Sequence, residues 1–206
     1  MLSTLLAFLG ACTLIAASPG PSTVLIIKES LRSRRSGFLT VLGNETGVFV
    51  WGVVAAFGLT ALLAASEVAY DVMRIVGAIV LVVFGVQTLW QARRAKGQQE
   101  SVGEADAKSG WASYRGGLLL NLANPKAAIF AMSFLPQFVP EGAPHLPTMV
   151  GLAALWAVYE IGYYGLYVWF VGRMKAVLSR AGVRRRLEQV SGGVLLLLGA
   201  RLALES

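Results

Sequence analysis

Six long apolar stretches constrain this sequence more than any other feature. They lie at 2–27, 37–65, 72–90, 111–139, 146–171 and 187–204. A helix needs about 20 mostly apolar residues to cross the hydrocarbon core of a membrane. Only 14% of the 206 residues are charged, whereas soluble domains average about 25%. The sequence therefore predicts an all-α polytopic membrane protein of about six transmembrane helices, with no sizeable soluble domain.

The first apolar stretch resembles a signal peptide in ending with small residues, but it has no basic segment at its start. Its apolar character also resumes at 24–27, so we interpret it as a retained first helix. Cys12 is the single cysteine, which excludes an internal disulfide, a Cys-x-x-Cys redox site and a multi-cysteine metal cluster. Neither a metal nor a cofactor is expected.

The basic residues lie between the apolar stretches, which argues against nucleic-acid binding despite the net charge of +7. Fifteen of the eighteen Lys and Arg residues fall in or beside the loops after the first, third and fifth helices. Cytoplasmic loops of membrane proteins carry such an excess. These loops are therefore predicted to be cytoplasmic, with both termini extracytoplasmic and with lipid headgroups as partners of the basic side chains.

A polar segment of mixed charge at about 95–110 divides the chain into two halves, at about 1–94 and 111–206. Each half has a proline-containing first helix, a Glu-x-Gly in its second helix and two glycines in its third. Three helices per repeat would force the second copy to insert upside down. We therefore predict one transport domain built from two inverted three-helix repeats, an architecture of many secondary transporters.

Proline interrupts the first helix of each half. Pro19, Gly20 and Pro21 interrupt the first stretch, and Asn124 with Pro125 interrupts the fourth. Such breaks free backbone groups that need partners, so they persist in membranes where they are buried in protein or line a wet cavity. The ends of the half-helices offer oriented dipoles to charged ligands. A functional cavity is the favoured interpretation, and a kink filled by a neighbouring helix is the alternative.

Glu45 and Glu160 are carboxylates deep in predicted transmembrane helices. An ionised carboxylate at the bilayer centre costs about 2.5–3.5 kcal/mol or more. Each must therefore be partnered, protonated or hydrated, and desolvation favours the protonated form, so either is a candidate proton carrier. Lys126 is a candidate counter-charge or a partner for a substrate carboxylate. Alternatively, Glu45 lies near an interface, where it reaches the headgroups or pairs with Lys126.

Polar and small residues near these carboxylates complete the candidate set. Gly43 and Gly47 form a Gly-x-x-x-Gly motif, which predicts a close approach of two helices. Asn44 and Asn121 are candidate binding residues, or groups that hydrogen-bond between helices. Tyr163, within one turn of Glu160, is a candidate cavity residue, although packing alone also explains it.

Several motifs resemble the LysE/RhtB family of amino-acid exporters. They are ASPGP at 17–21, GGLLLNLANPKA at 116–127, FLPQFV at 134–139 and the ending from SGGVL at 191–195 through GARL at 199–202. The resemblance covers essentially the whole chain, and it implies ion-driven export of amino acids or related metabolites across the cytoplasmic (inner) membrane. Glu160 matches an acidic residue that is common in the fifth helix of the family. Glu45 departs from the small uncharged residues expected at its position.

The sequence as a whole predicts a secondary exporter, and not an enzyme, whose inward-facing cavity binds a zwitterionic substrate while Glu45 or Glu160 exchanges protons. The candidate substrate- and ion-binding residues are Pro19, Gly20, Pro21, Asn44, Glu45, Asn121, Asn124, Pro125, Lys126, Glu160 and Tyr163. The expected partners are a small molecule, protons, membrane lipids and a second copy in a homodimer, without nucleic acid. Two alternatives stay open: a membrane-embedded enzyme acting on lipid-linked substrates, and a membrane assembly factor.

Overall fold

A computed structural model of the chain describes residues 2–18, 20–65 and 110–171, with isolated positions between 72 and 90 and between 173 and 200. Within the continuous ranges every regular element is helical. The helices are α1 (Leu2–Ala17), α2 (Pro21–Arg32), α3 (Arg34–Ala65), α4 (Gly110–Leu122), α5 (Pro125–Phe134) and α6 (His145–Trp169), with a 3-10 turn at Leu135–Phe138. The predicted helices at 72–90 and 187–204 and the segment at 95–110 lie largely outside the described residues. The number of six helices and the inverted repeat therefore stay predictions.

Two of the described helices are long and apolar enough to cross a membrane by themselves. They are α3, over Arg34–Ala61, and α6, over His145–Trp169. Helices α1 and α2 form a third span if the bent pair, which meets at 68°, counts as one. These lengths agree with the predicted all-helical membrane fold and with the predicted bounds of the second and fifth helices.

The helix breaks occur where the prolines predicted them. α1 ends at Ala17, and α2 begins at Pro21, in a position where a missing backbone hydrogen costs no helical bond. Pro125 begins α5 in the same way, and two residues separate it from the end of α4. Pro19 lies outside the described residues.

The connection after the first helix is shorter than the basic loop that the sequence predicted. α2 continues to Arg32, and Ser33 alone separates it from α3, so Lys28 and Arg32 are helical. A helix satisfies its own backbone hydrogen bonds in hydrocarbon and in water alike, so it need not end where its apolar residues end. Arg32, in the last turn of α2, pairs with Glu29 of the same helix.

α3 packs against α4 on one side and α6 on another. It runs parallel to α4, because Thr40 donates a hydrogen bond to the Ser113 carbonyl oxygen near the start of both helices and Gly47 packs on Asn121 further along. It runs antiparallel to α6. The Arg34 guanidinium lies 4.6 Å from the Trp169 ring centroid at one end, and Gly52 packs on Ala153 at the other.

We call the part of the bundle that holds the end of α2, the starts of α3 and α4 and the end of α6 the basic end. Its arginines within these elements are Arg32, Arg34, Arg35 and Arg115.

Glycines set the close contact between α3 and α4. A Cβ atom at Gly43 would overlap the main chain at Tyr114, and one at Gly117 would overlap the main chain at Thr40. A Cβ atom at Gly47 would lie 2.7 Å from the Asn121 Cβ. The close approach predicted from Gly43 and Gly47 is therefore confirmed, with Gly117 as the matching glycine on α4.

Two apolar clusters lie on either side of the level of the helix breaks. The aromatic cluster, away from the basic end, is built around Phe8, Phe130, Phe134, Phe138 and Trp156, whose rings contact one another. The tyrosine cluster lies towards the basic end and contains Tyr164 and Tyr167. Five aliphatic residues pack with these two rings: Ala16, Ile26, Ile27, Val41 and Val168. Along α3 and α6, Asn44, Glu45 and Glu160 lie between residues of these two clusters.

Candidate functional site

A cavity of about 80 Å³ lies between the aromatic and tyrosine clusters, beside both helix breaks. The α1–α2 break contributes Ile15, Ser18, Gly20, Pro21, Ser22 and Thr23. The remaining lining comes from α3, α4, α5 and α6: Asn44, Val48, Asn121, Asn124, Ala127, Phe130, Trp156, Glu160 and Tyr164. One water molecule needs about 10–15 Å³ on this measure, so the cavity has room for several.

Two helix N-termini line this cavity. Pro21 is the first residue of α2, and the backbone N–H groups of the next two residues, Ser22 and Thr23, precede the first intrahelical bond, from Val24 N–H to the Gly20 carbonyl oxygen at 3.1 Å. α5 begins beside Asn124, whose carbonyl oxygen accepts from the Ala127 N–H at 3.0 Å. Helix N-termini favour negative charge, so this wall of the cavity suits an anionic group.

Glu45 and Glu160 are brought together as an acid pair between α3 and α6. Both side chains are buried, at 1% and 4% exposure, and their carboxyl groups lie next to each other. Asn44 Nδ2–H donates to Glu45 Oε1 and Trp156 Nε1–H donates to Glu160 Oε1, each at 2.8 Å. Two ionised carboxylates have no hydrogen to share and repel each other. A proton shared between the two groups would remove this repulsion.

The acid pair replaces the alternative in which Glu45 lies near an interface. Glu45 is fully buried, and neither carboxylate forms an ion pair with a described basic side chain. Its proposed pairing with Lys126 is not tested, because the side chains of Lys126 and Pro125 lie outside the described residues. Glu160 lines the cavity, whereas Glu45 lies behind it.

Asn44 and Asn121 link α3 to α4. Asn121 Nδ2–H donates to Asn44 Oδ1 at 3.3 Å, so both amides do hydrogen-bond between helices. Both also line the cavity. Through Asn44 the amide pair continues to Glu45 and on to Glu160, giving a buried polar chain that crosses three helices.

The prediction that Tyr163 lines the cavity is wrong; Tyr164 takes that place. Residues four apart on a helix lie about 40° apart around its axis, so Trp156, Glu160 and Tyr164 share one face of α6. Tyr164 OH donates to the Ala16 carbonyl oxygen at 3.3 Å, near the end of α1. Tyr163 is half-buried, and its hydroxyl lies 3.1 Å from that of Tyr167.

Sequence reasoning missed several residues of the site. Trp156 and Tyr164 follow from Glu160 by helical spacing, and Ser22 and Thr23 follow Pro21 in the first turn of α2. A third buried acid, Glu29, was also missed. It pairs with Arg32 at 2.7 Å and accepts from Ser113 Oγ at 3.5 Å, near the basic end and outside the cavity.

Comparison with known proteins decides the family. The model of the LysE type translocators matches residues 13–206. The chain belongs to this family. The translocator is 29% identical to the leucine efflux protein of Salmonella typhimurium over 201 residues, which cover 95% of this chain and 92% of the relative.

Two other relatives also align along nearly their whole length. The membrane protein YrhP of Bacillus subtilis is 22% identical over 98% of this chain and 99% of its own. A membrane protein of Synechocystis is 27% identical over 99% of this chain and 97% of its own. No solved structure matches. The predicted resemblance is confirmed, and membership identifies the chain as a membrane transport protein of a family of exporters.

Proposed function

We propose that this translocator exports neutral amino acids with aliphatic side chains across the cytoplasmic membrane, in exchange for protons. The observation that carries the proposal is the buried acid pair of Glu45 and Glu160 beside a cavity that two helix N-termini line. The alignment with a leucine efflux protein along nearly the whole chain supports an amino acid as the substrate.

The cavity has complementary walls for the three parts of such a substrate. The substrate carboxylate is placed at the amides of Ser22 and Thr23 and at the start of α5, where the helix dipoles favour an anion. The ammonium group is placed at Glu160. The apolar wall made by Ile15, Val48 and Phe130 receives an aliphatic side chain. Lys126 stays a predicted further partner of the substrate carboxylate.

The acid pair gives the cavity a proton to exchange. A cationic ammonium group arriving at Glu160 makes the ionised carboxylate favourable, so the shared proton leaves as the substrate binds. Release of the substrate on the far side leaves the pair ready to take up a proton from that side. One pH unit of outside-acid gradient is worth about 1.4 kcal/mol per proton, which supports roughly tenfold accumulation at one proton per substrate.

The orientation and symmetry of the protein form part of the proposal. We place the basic end in the cytoplasm and both termini on the opposite side. The opposite directions of α3 and α6, the second helices of the two halves, support an inverted repeat. A homodimer also stays a prediction. A reporter fused after Ser206 should report an extracytoplasmic C-terminus, and a cytoplasmic signal would contradict this orientation.

Counterflow in proteoliposomes tests the function directly. Vesicles that contain the purified translocator and unlabelled leucine should take up labelled leucine transiently. An imposed pH gradient should drive net movement of leucine in the direction opposite to the flow of protons. Valine and isoleucine should compete, whereas lysine and glutamate should compete poorly, since the described lining offers no partner for a second charge. Absence of counterflow for every neutral aliphatic amino acid would contradict the proposal.

A further inference from the structure

One buried polar atom at the cavity wall lacks a partner. Asn121 lines the cavity and is 3% exposed, and no donor among the described residues reaches its Oδ1 atom. The other half of the same amide is occupied, because Nδ2–H donates to Asn44 Oδ1. A buried acceptor without a donor destabilises the protein. A ligand in the cavity that reaches this side chain can supply the missing hydrogen.

The direction of the hydrogen bonds explains why the unpaired atom is an acceptor. Glu45 Oε1 accepts a hydrogen bond from Asn44, so the Asn44 amide must turn its Nδ2 towards Glu45 and its Oδ1 towards Asn121. Asn121 must then turn its own Nδ2 towards Asn44, which leaves Oδ1 unpaired. An amide presents a donor on one side and an acceptor on the other, so the orientation is passed along the chain.

The residue of α3 next to Asn121 Oδ1 is a glycine. Gly47 of α3 lies against the Asn121 side chain, and a Cβ atom there would lie 2.8 Å from Oδ1. Any larger residue at position 47 would fill the space beside the acceptor. The carbonyl oxygen of Asn121 accepts from Trp51 Nε1 at 3.4 Å, which places a further contact on the same residue from α3.

We propose that Glu45 is a positioning residue: through Asn44 it orients Asn121 so that Oδ1 accepts a hydrogen bond from the substrate ammonium group. The inference rests on the proposed function, since it assumes a substrate that carries an amine. It assigns to Glu45 a role separate from the proton of the acid pair. Recognition of the ammonium group then comes from a polarised chain of two amides together with Glu160.

The test compares two ligands of the purified full-length protein, leucine and 4-methylpentanoate, which lacks the amine. Their affinities are measured by competition for bound labelled leucine. In the wild-type protein leucine should bind at least about tenfold more tightly, the size expected for one hydrogen bond to a charged group. Asn121→Leu should lower leucine affinity about tenfold and leave 4-methylpentanoate within about twofold. A purely structural role for Asn121 would weaken both ligands equally.

An exchange of acid and amide tests the orienting role of Glu45. Glu45→Gln should reduce the preference for leucine, because glutamine can donate to Asn44 and permits the reversed orientation of both asparagines. The double variant Asn44→Asp, Glu45→Gln should restore the preference for leucine. A carboxylate at position 44 can only accept, so it accepts from Asn121 Nδ2 with either residue at position 45. Tyr114→Phe is the matched control. It removes a different α3–α4 hydrogen bond, from the Tyr114 hydroxyl to Thr46 Oγ1 at 3.1 Å, and should leave the preference for leucine unchanged.

Two results would overturn the inference. One is an unchanged preference for leucine over 4-methylpentanoate in Asn121→Leu. The other is a double variant, Asn44→Asp, Glu45→Gln, whose preference for leucine is no greater than that of Glu45→Gln. The second comparison still decides the matter if Asn121→Leu does not fold. Preserved discrimination between the two ligands without leucine counterflow would instead overturn the proposed function alone.

Discussion

The two faces of α3 differ in what holds them to their neighbours. Towards α4, Gly43 and Gly117 bring backbones into contact, and the Asn44–Asn121 bond crosses the interface. Towards α6, Gly52 packs on the Ala153 side chain, and the acid pair of Glu45 and Glu160 lies between the helices. Asn44 and Glu45 are adjacent, yet successive residues lie about 100° apart around a helix. Two neighbouring residues therefore serve two different interfaces.

This difference suggests which interface stays fixed during transport. Backbone-to-backbone packing through glycine leaves no slack between α3 and α4, because any displacement brings main-chain atoms into conflict. The α3–α6 interface contains a group whose charge changes when a proton leaves. We therefore expect α3 and α4 to move together, while α1, α2, α5 and α6 change position relative to them.

The largest effect is expected from filling the glycine contact. Gly117→Leu should abolish the folded protein, with a loss of about 3 kcal/mol or more, because the new side chain overlaps the main chain of α3. Gly116→Leu is the matched control, since a Cβ atom at Gly116 meets nothing within 4 Å. Fluorescence-detected size exclusion of both variants after heating measures the difference. Equal stability of the two variants would contradict the claim that α3 and α4 are held by a close backbone contact at Gly117.

A large functional effect is expected from the other face. Glu160→Gln cannot release a proton, so pH-driven accumulation should fall from about tenfold per pH unit to none, while leucine exchange between compartments of equal pH continues. Glu29→Gln changes a buried acid outside the cavity and should keep the pH response despite a loss of stability. Full coupling in Glu160→Gln and in the double Glu45, Glu160 glutamine variant would show that the acid pair carries no transported proton.

A smaller effect is expected at the donor to Glu160. Trp156→Phe removes the 2.8 Å hydrogen bond from Nε1 but keeps a ring beside Phe130 and Phe134. Loss of a hydrogen bond to a charged group is worth about 1.5–3 kcal/mol, so exchange should slow at least about tenfold with near-normal abundance. Phe134→Leu, which changes a ring that packs on Trp156 but does not line the cavity, is a control for packing. Similar rates in the wild type and Trp156→Phe would exclude a role for this bond.

The smallest effect is expected within the fixed interface but away from the cavity. Tyr114→Phe removes the hydrogen bond to Thr46 and should cost about 0.5–1.5 kcal/mol of stability. Export should be unchanged, because neither residue lines the cavity. Melting temperature and leucine exchange are measured on the same preparation. A selective loss of export would mean that the α3–α4 interface also takes part in the transport movement.

Much of the fold was readable because it depends on local patterns. The apolar lengths of α3 and α6 predicted their bounds to within a few residues, and the prolines predicted both helix breaks. The basic segment after the first helix was misread, since composition shows where a membrane interface lies but not where a helix stops. Tyr163 was preferred over Tyr164 because sequence distance from Glu160 does not say which way α6 is turned.

The sequence by itself determined which groups are costly in a membrane: two carboxylates, two amides and two helix breaks, each expensive in hydrocarbon without a partner. Only the tertiary structure decided how they partner one another. Glu45 and Glu160 lie more than a hundred positions apart in the chain, and an acid at either one is equally compatible with a basic partner, a water or another acid. The antiparallel register of α3 on α6 puts carboxyl against carboxyl. The parallel register of α3 on α4 puts amide against amide, because glycines allow that contact and larger residues would prevent it.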